Sequence, residues 1–219
     1  MRGANSKPAA TFLQAGPLWF TEALKLLQEV NGRLLDLLAL ASPPASEPRL
    51  PLAVEVGDVL RHMDSAARER TAACPFLLVE AGFQDLQRWS GVRWGTELLE
   101  ARAECFPRAQ ALELAHMTFV LAWSLARSSR AAACTMLGLS PGCAEIIAEL
   151  RLQDLQRIVV THCAWIRPRW EARPDIWQQL LSMADQRGSR PLATGSDRGL
   201  HLFFGNVLRE GSPKVSERL

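Results

Sequence analysis

The residues whose types and spacing could do recognition chemistry lie in Trp165-Ile-Arg-Pro-Arg-Trp-Glu-Ala-Arg173. Arg167, Arg169 and Arg173 alternate there with Trp165 and Trp170. Guanidinium groups meet phosphates, and indole faces stack on bases, so the alternation suits a partner or nucleic-acid surface. Arg151 and Arg157, a short helical stretch upstream, extend it. The candidate contact residues are therefore Arg151, Arg157, Trp165, Arg167, Arg169, Trp170 and Arg173. The same segment also admits a structural role. Trp165, Trp170 and Trp177 would then fill the core where helices meet, with the arginines stacked across them or paired with Glu171 and Asp175.

Catalytic and metal chemistry find less. His62-Met-Asp64 sets an imidazole near a carboxylate but supplies no third ligand at metal spacing. His116 falls on a strongly apolar stretch and reads as a core histidine. His162 and Cys163 are neighbours, and neighbouring helical residues point about 100° apart, so adjacency makes no dyad. Glu80, Asp85, Glu97, Glu100 and Glu104 form an acidic set. The last three recur at helical steps and read as one solvated face. No G-x-S-x-G, no phosphate-binding loop and no G-x-G-x-x-G after a strand is present. The expectation is a non-enzymatic protein with no catalytic, cofactor or metal site.

The 219 residues suffice for one large domain or two small ones with a real core. Hydrophobic residues are 48% and charged residues 22%, the balance of a globular chain, and a net charge of +2 announces neither nucleic acid nor membrane. The five cysteines, at 74, 105, 134, 143 and 163, form no C-x-x-C pair. They read as reduced, mostly buried thiols of a cytoplasmic protein. The N-terminus lacks an apolar signal core. The most apolar run, Ala111–Ala126, holds Glu113 and His116 and falls short of the ~20 residues that span a bilayer.

The elements that must position these residues are helical. Residues 18–41 alternate a polar stripe (Glu22, Lys25, Glu29, Arg33, Asp36) with leucines, the pattern of an amphipathic helix. Ser42–Pro51 holds four prolines and reads as a loop. Helices are expected over 52–63 and, capped by Asp64 or Ser65, through Ala73. Phe76–Val79 is ambiguous between buried strand and buried helix. Helix follows over 84–89, a turn region at Gly91 and Gly95, and helix over 96–104. A long helix runs from Pro107 to about Arg127, another over 152–163, and a last one over 174–184. The pentapeptide Gln84-Asp-Leu-Gln-Arg88 returns as Gln153-Asp-Leu-Gln-Arg157 without setting a repeat period. The expected fold is all-α: a flexible leader 1–17, a helical core 18–184 with possible halves 18–106 and 107–184, and a disordered tail 185–219.

Local signals agree best between Ser129 and Leu150. Ser129 caps one short helix, and Gly138 follows it as the left-handed C′ residue. Ser140 caps the next, with Pro141 at its first position. This is the shape of a helix–turn–helix. Its second helix, however, carries Glu145 and Glu149 and no Arg or Lys, the wrong charge for a major-groove reader. A hairpin used for packing is the expected meaning.

Residues 117–165 resemble the FlhD family of bacterial flagellar regulators. The likeness rests on Leu121-Ala122, Leu125-Ala126, Ser129–Ala133, Leu137-Gly-Leu-Ser140, Ala144-Glu145, Ile147-Ala148 and Leu155. That family is all-helical and dimeric and acts with a partner subunit on promoter DNA. The resemblance implies a helical platform for dimerisation or partner binding. The expectation is a regulatory or adaptor protein with a protein partner or a second copy, acting in transcription. Direct DNA binding through 129–150, Arg151, Arg157 and 165–173 is the alternative, and an enzyme the third.

Overall fold

The computed structural model describes residues 18–40, 51–94 and 104–186. Among these the chain is all-α apart from one two-residue ladder. The leader at 1–17, residues 42–50 of the proline-rich loop, the turn expected at Gly95, all but Glu104 of the helix expected over 96–104, and the tail from 187 on lie outside the described residues.

Helix α1 (Leu18–Leu40) buries Leu27, Val30, Leu34, Leu35 and Leu38, an apolar stripe at steps of three and four. It packs on α2 (Pro51–His62), α3 (Ser65–Ala72) and α5 (Arg108–Ser128). Pro51 opens α2 rather than closing the loop before it, where its missing N–H costs nothing. Asp64 caps α3 by accepting from the Ala67 amide at 2.5 Å. Helix α5 is the second axis. Leu114, Ala115, Phe119, Leu121, Ala122 and Leu125 are buried beneath α1, α7 (Pro141–Glu149) and α8 (Leu152–His162).

Between these axes lie the shorter elements. Phe76–Val79 turns out to be neither helix nor true strand for most of its length. Only Val79–Glu80 (β1) pairs, antiparallel, with Arg167–Pro168 (β2). Helix α4 (Leu86–Trp94) runs through Gly91, so no turn occurs there. Leu152–His162 gives way to a tight 3-10 turn at Cys163–Trp165. Helix α9 (Pro174–Gln186) continues two residues past the expected end, taking Asp185 and Gln186 out of the expected tail.

One apolar cluster runs through the described residues from Ala23 to Ala184. Three Trp indoles satisfy their N–H groups on backbone carbonyls: Trp89 on Gly82, Trp123 on Leu150 and Trp177 on Arg169, at 2.8–2.9 Å. His116 is a correction. It sits on the exposed side of α5, not in the core.

The repeated pentapeptide occupies two different registers. Asp85 lies ahead of α4 and accepts from the Arg88 amide, whereas Asp154 is inside the first turn of α8. Leu86 is exposed, and its counterpart Leu155 is buried. The same five residues therefore do different structural work in their two places.

Candidate functional site

The alternating Arg–Trp segment is tied into the interior by residue 31. Asn31 falls on the apolar stripe of α1 and is fully buried. Its amide nitrogen donates to the carbonyls of Ala72 and Phe76 at 3.1 and 3.0 Å, and lies 3.4 Å from the Cys74 sulfur. Its carbonyl accepts from the Leu78 amide at 2.8 Å. One side chain thus fixes the course of Cys74–Leu78. That strip in turn holds the 165–173 segment. The Arg169 amide donates to the Leu78 carbonyl at 2.7 Å, and the Leu77 amide donates to Met136 at 2.8 Å. Three parts of the chain, 74–80, 133–138 and 167–170, meet here.

Backbone geometry at this junction is unusual three times over. Ala133–Leu137 is π-helical, a form found mostly as short insertions near functional sites. Gly138 closes it at φ 74°. Trp170 is the only non-glycine at positive φ (54°) among the described residues. Gly138 also leaves room for the guanidinium: a Cβ there would come within 2.8 Å of Arg169 Cζ and oblige that side chain to move. The Arg169 guanidinium lies on that glycine and against Trp170, with Cζ 5.1 Å from the indole centroid. Phe76 meets Trp170 edge-on at 6.0 Å.

The seven candidate residues do not form one open cationic face. Arg167 is bidentate on Glu171 at 2.6 and 2.7 Å, which raises its proton affinity. Arg173 grips Asp175 at 2.8 and 3.0 Å, and that contact pulls the Asp175 carboxyl below its ordinary range. Arg151 hydrogen-bonds Asp154, and Arg157 lies 3.9 Å from the same carboxylate, with Asp154 likewise pulled down. Trp165 is buried. It stacks on His162 at 3.9 Å, meets Trp89 edge-on at 5.7 Å, and carries Arg88 at 4.9 Å. Trp170 is half-buried. The arrangement is the structural role weighed from the sequence: indoles inside, arginines paired with Glu171 and Asp175. Among the five arginines of the set, Arg169 alone has no carboxylate at ion-pair distance among the described residues.

The helical hairpin forms as its caps dictate. Ser129 Oγ accepts from Ala132, and Ser140 Oγ from Cys143. Its two arms are bent by 120°, within the helix–turn–helix range. Its turn is covered, however. The Ser140 amide donates to Phe83 at 3.0 Å, Gln84 donates to the Gly138 carbonyl, and Leu86 lies over Gly142 so closely that a Cβ there would be 2.7 Å from Leu86 Cδ1. Glu145 and Glu149 face outward, Glu145 at 3.4 Å from Arg130. This cover, Phe83–Leu86, was not visible in the sequence. Gly142 behind Pro141 was its one trace, a second small residue where a helix start does not need one.

Two other clusters bear on chemistry. Glu104, expected on a solvated helical face, precedes α5 and is half-buried. It binds Arg108, and its Oε1 lies 3.5 Å from the Cys163 sulfur, which Arg108 also approaches at 3.2 Å. Burial and Glu104 both push the Cys163 thiol up, away from nucleophilic character. Cys74 is pushed up to about 12 by burial. A groove of about 460 Å³ separates α1 from α3 above Gly32 and Ala72, where Lys25 pairs with Glu22 and Arg68 with Asp36. His62 is exposed, its Nδ1 on the Asp58 carbonyl at 2.8 Å, while Asp64 is used as a cap. Among the described residues, no three His, Cys, Asp or Glu side chains converge as metal ligands, and no single helix is long and apolar enough to cross a membrane. Comparison with protein families, with curated proteins and with solved structures finds no match for this chain.

Proposed function

We propose that the protein is a non-enzymatic adaptor or regulator that works through protein–protein contact, with transcription as its setting. One observation carries the reading: the helix–turn–helix shape is spent on internal packing. A DNA-reading hairpin must present its turn and the start of its second helix to the major groove. Here Phe83, Gln84 and Leu86 lie on that turn, and the outward side of α7 offers Glu145 and Glu149. Arg130, Arg151 and Arg157 already have carboxylate neighbours, so few counterions would be released where they meet phosphate. The outer stripe of α8 favours a protein partner. Leu152 and Val160, 59% and 56% exposed, share one helical face with Gln156 between them. The resemblance of 117–165 to a dimerising regulator family points the same way.

The reading is tested on the full chain by two measurements. Fluorescence anisotropy with duplex DNA is expected to show no tight binding and no steep salt dependence. A log K that falls by several units per decade of salt, and flattens in Arg151→Ala and Arg157→Ala, would mean phosphate contacts and defeat the reading. Light scattering on the purified chain and on its native complex is expected to show a defined assembly. Leu152→Glu with Val160→Glu should dissociate that assembly while helicity is kept. A strict monomer in both preparations would also defeat the reading.

A further inference from the structure

We infer that the Arg169 guanidinium is the floor of a binding site for a carboxylate group, an assignment that does not rest on the adaptor reading. Arginine is seldom withdrawn from water unless it is paired, because an uncompensated buried charge is costly. Arg169 is half-buried, so its guanidinium is withdrawn in part. Burial lowers its affinity for its proton, against weaker opposing influences from Glu80 and Cys74. Yet its side chain makes one long hydrogen bond, Nη1 to the Leu77 carbonyl at 3.4 Å. Glu80 is the carboxylate that acts on it through space, and Glu80 Oε1 is already engaged by the Ala81 and Phe83 amides at 3.1 and 2.9 Å. Nε and Nη2 have no acceptor among the described residues.

The surroundings hold the cation in place rather than neutralise it. Gly138 removes the side chain that would displace it, and the Trp170 face supports it. Its backbone is pinned at both ends, by the Leu78 carbonyl on its amide and by the Trp177 indole on its carbonyl at 2.8 Å. Nε and Nη2 form the side-on edge of a guanidinium, whose two parallel N–H groups match the two oxygens of a carboxylate. A planar two-oxygen anion fits that edge better than a tetrahedral one. The carboxylate can be that of a small free acid or of a partner's acidic side chain.

Formate is the first probe. In the wild-type chain the Arg169 Nε–H resonance, assigned through the backbone, is expected to shift saturably with formate while the other arginines do not. Thermal midpoint should rise by about 3–6 °C at ten times the dissociation constant. Arg169→Met is expected to stay folded, since it removes a buried charge, and to lose the response. A saturable response to formate alone assigns a small acid. A response to N-acetyl-glutamate amide as well assigns a side-chain carboxylate. An Nε–H signal that stays still or drifts linearly with the other arginines overturns the site, as does a formate response retained by Arg169→Met. Tighter binding of sulfate than of formate at equal ionic strength overturns the carboxylate assignment. The resonance readout needs no variant, so misfolding of Arg169→Met leaves the question decidable.

Discussion

Replacing Asn31 by leucine isolates the contact on which the whole junction hangs. The substitution nearly conserves volume and adds apolar surface to a helix face that is already apolar, so packing changes little. What it removes is hydrogen bonding. The Leu78 amide loses its acceptor at 2.8 Å, and the Ala72 carbonyl loses its donor at 3.1 Å. The Phe76 carbonyl keeps the Cys74 thiol at 3.2 Å. Two backbone groups are therefore orphaned in the core, each at a cost of roughly 1–3 kcal/mol, so the loss should be about 4 kcal/mol. Against a total stability of about 5–15 kcal/mol that is a large fraction. For a chain of this size it corresponds to a fall in thermal midpoint of roughly 8–16 °C. Urea and thermal denaturation followed by circular dichroism at 222 nm would measure it, with Asn31→Gln as a control that keeps the chemistry but misplaces it. A loss below about 1 kcal/mol would refute the argument, because it would mean that water or a local shift satisfies both groups.

Three further outcomes follow from single side chains. Thr118 is fully buried, and its hydroxyl has no partner. Thr118→Val should raise stability by about 1 kcal/mol, seen as a higher urea midpoint, and a loss would show that the hydroxyl is satisfied after all. Thiol labelling with an iodoacetamide probe at pH 8 should reach half-exposed Cys134 first and Cys74 only on global unfolding. Cys74 is buried with its pKa near 12, so almost none of it is thiolate at that pH; early alkylation of Cys74 would contradict this. Asp154 closes the first turn of α8 on the Arg151 amide, and its pKa is lowered by Arg151. A lowered folded pKa stabilises above the ordinary carboxylate range, and that stability is lost as pH falls through the folded value. Asp154→Asn should therefore cost about 1 kcal/mol at pH 6, a cost that shrinks as pH falls through the folded value, which urea midpoints over a series of pH values would test.

Much of the fold was legible because local rules were sufficient for it. The stripe of α1, the Asp64 cap, the Ser129–Gly138–Ser140–Pro141 sequence and the start of α9 at Pro174 are decided within a few residues by periodicity and capping. Failures came where distant contacts decide. Gly91 reads as a turn in isolation, but Trp89 and Val92 on the same short helix are buried, and tertiary packing outweighs the propensity of one glycine. Phe76–Val79 was ambiguous because its backbone partners are the Asn31 side chain, Met136 and Arg169, at separations no local pattern encodes. His116 was placed inside by the apolarity of its neighbours, yet the exposed residues of α5 still recur at helical spacing through Glu113, His116, Ser124 and Arg127.

The candidate site shows a different kind of limit. Alternation of Arg with Trp is the same sequence whether the arginines look outward to phosphate or sideways to their own carboxylates. What distinguishes the two is the placement of Glu171 four residues after Arg167 and of Asp175 two after Arg173, which lets each pair close locally. The spacing could be read from the sequence only as a possibility, since Pro168 and Pro174 rule out a regular helix in which i to i+4 pairing would follow. Arg169 has no acidic residue at a comparable distance on either side except Glu171, and Arg167 takes that one in both oxygens. The competition leaves a single guanidinium facing Gly138 and Trp170, with Glu80 acting on it only through space. That is why the chemistry of this segment concentrates on one arginine rather than on the set of seven that the sequence presents.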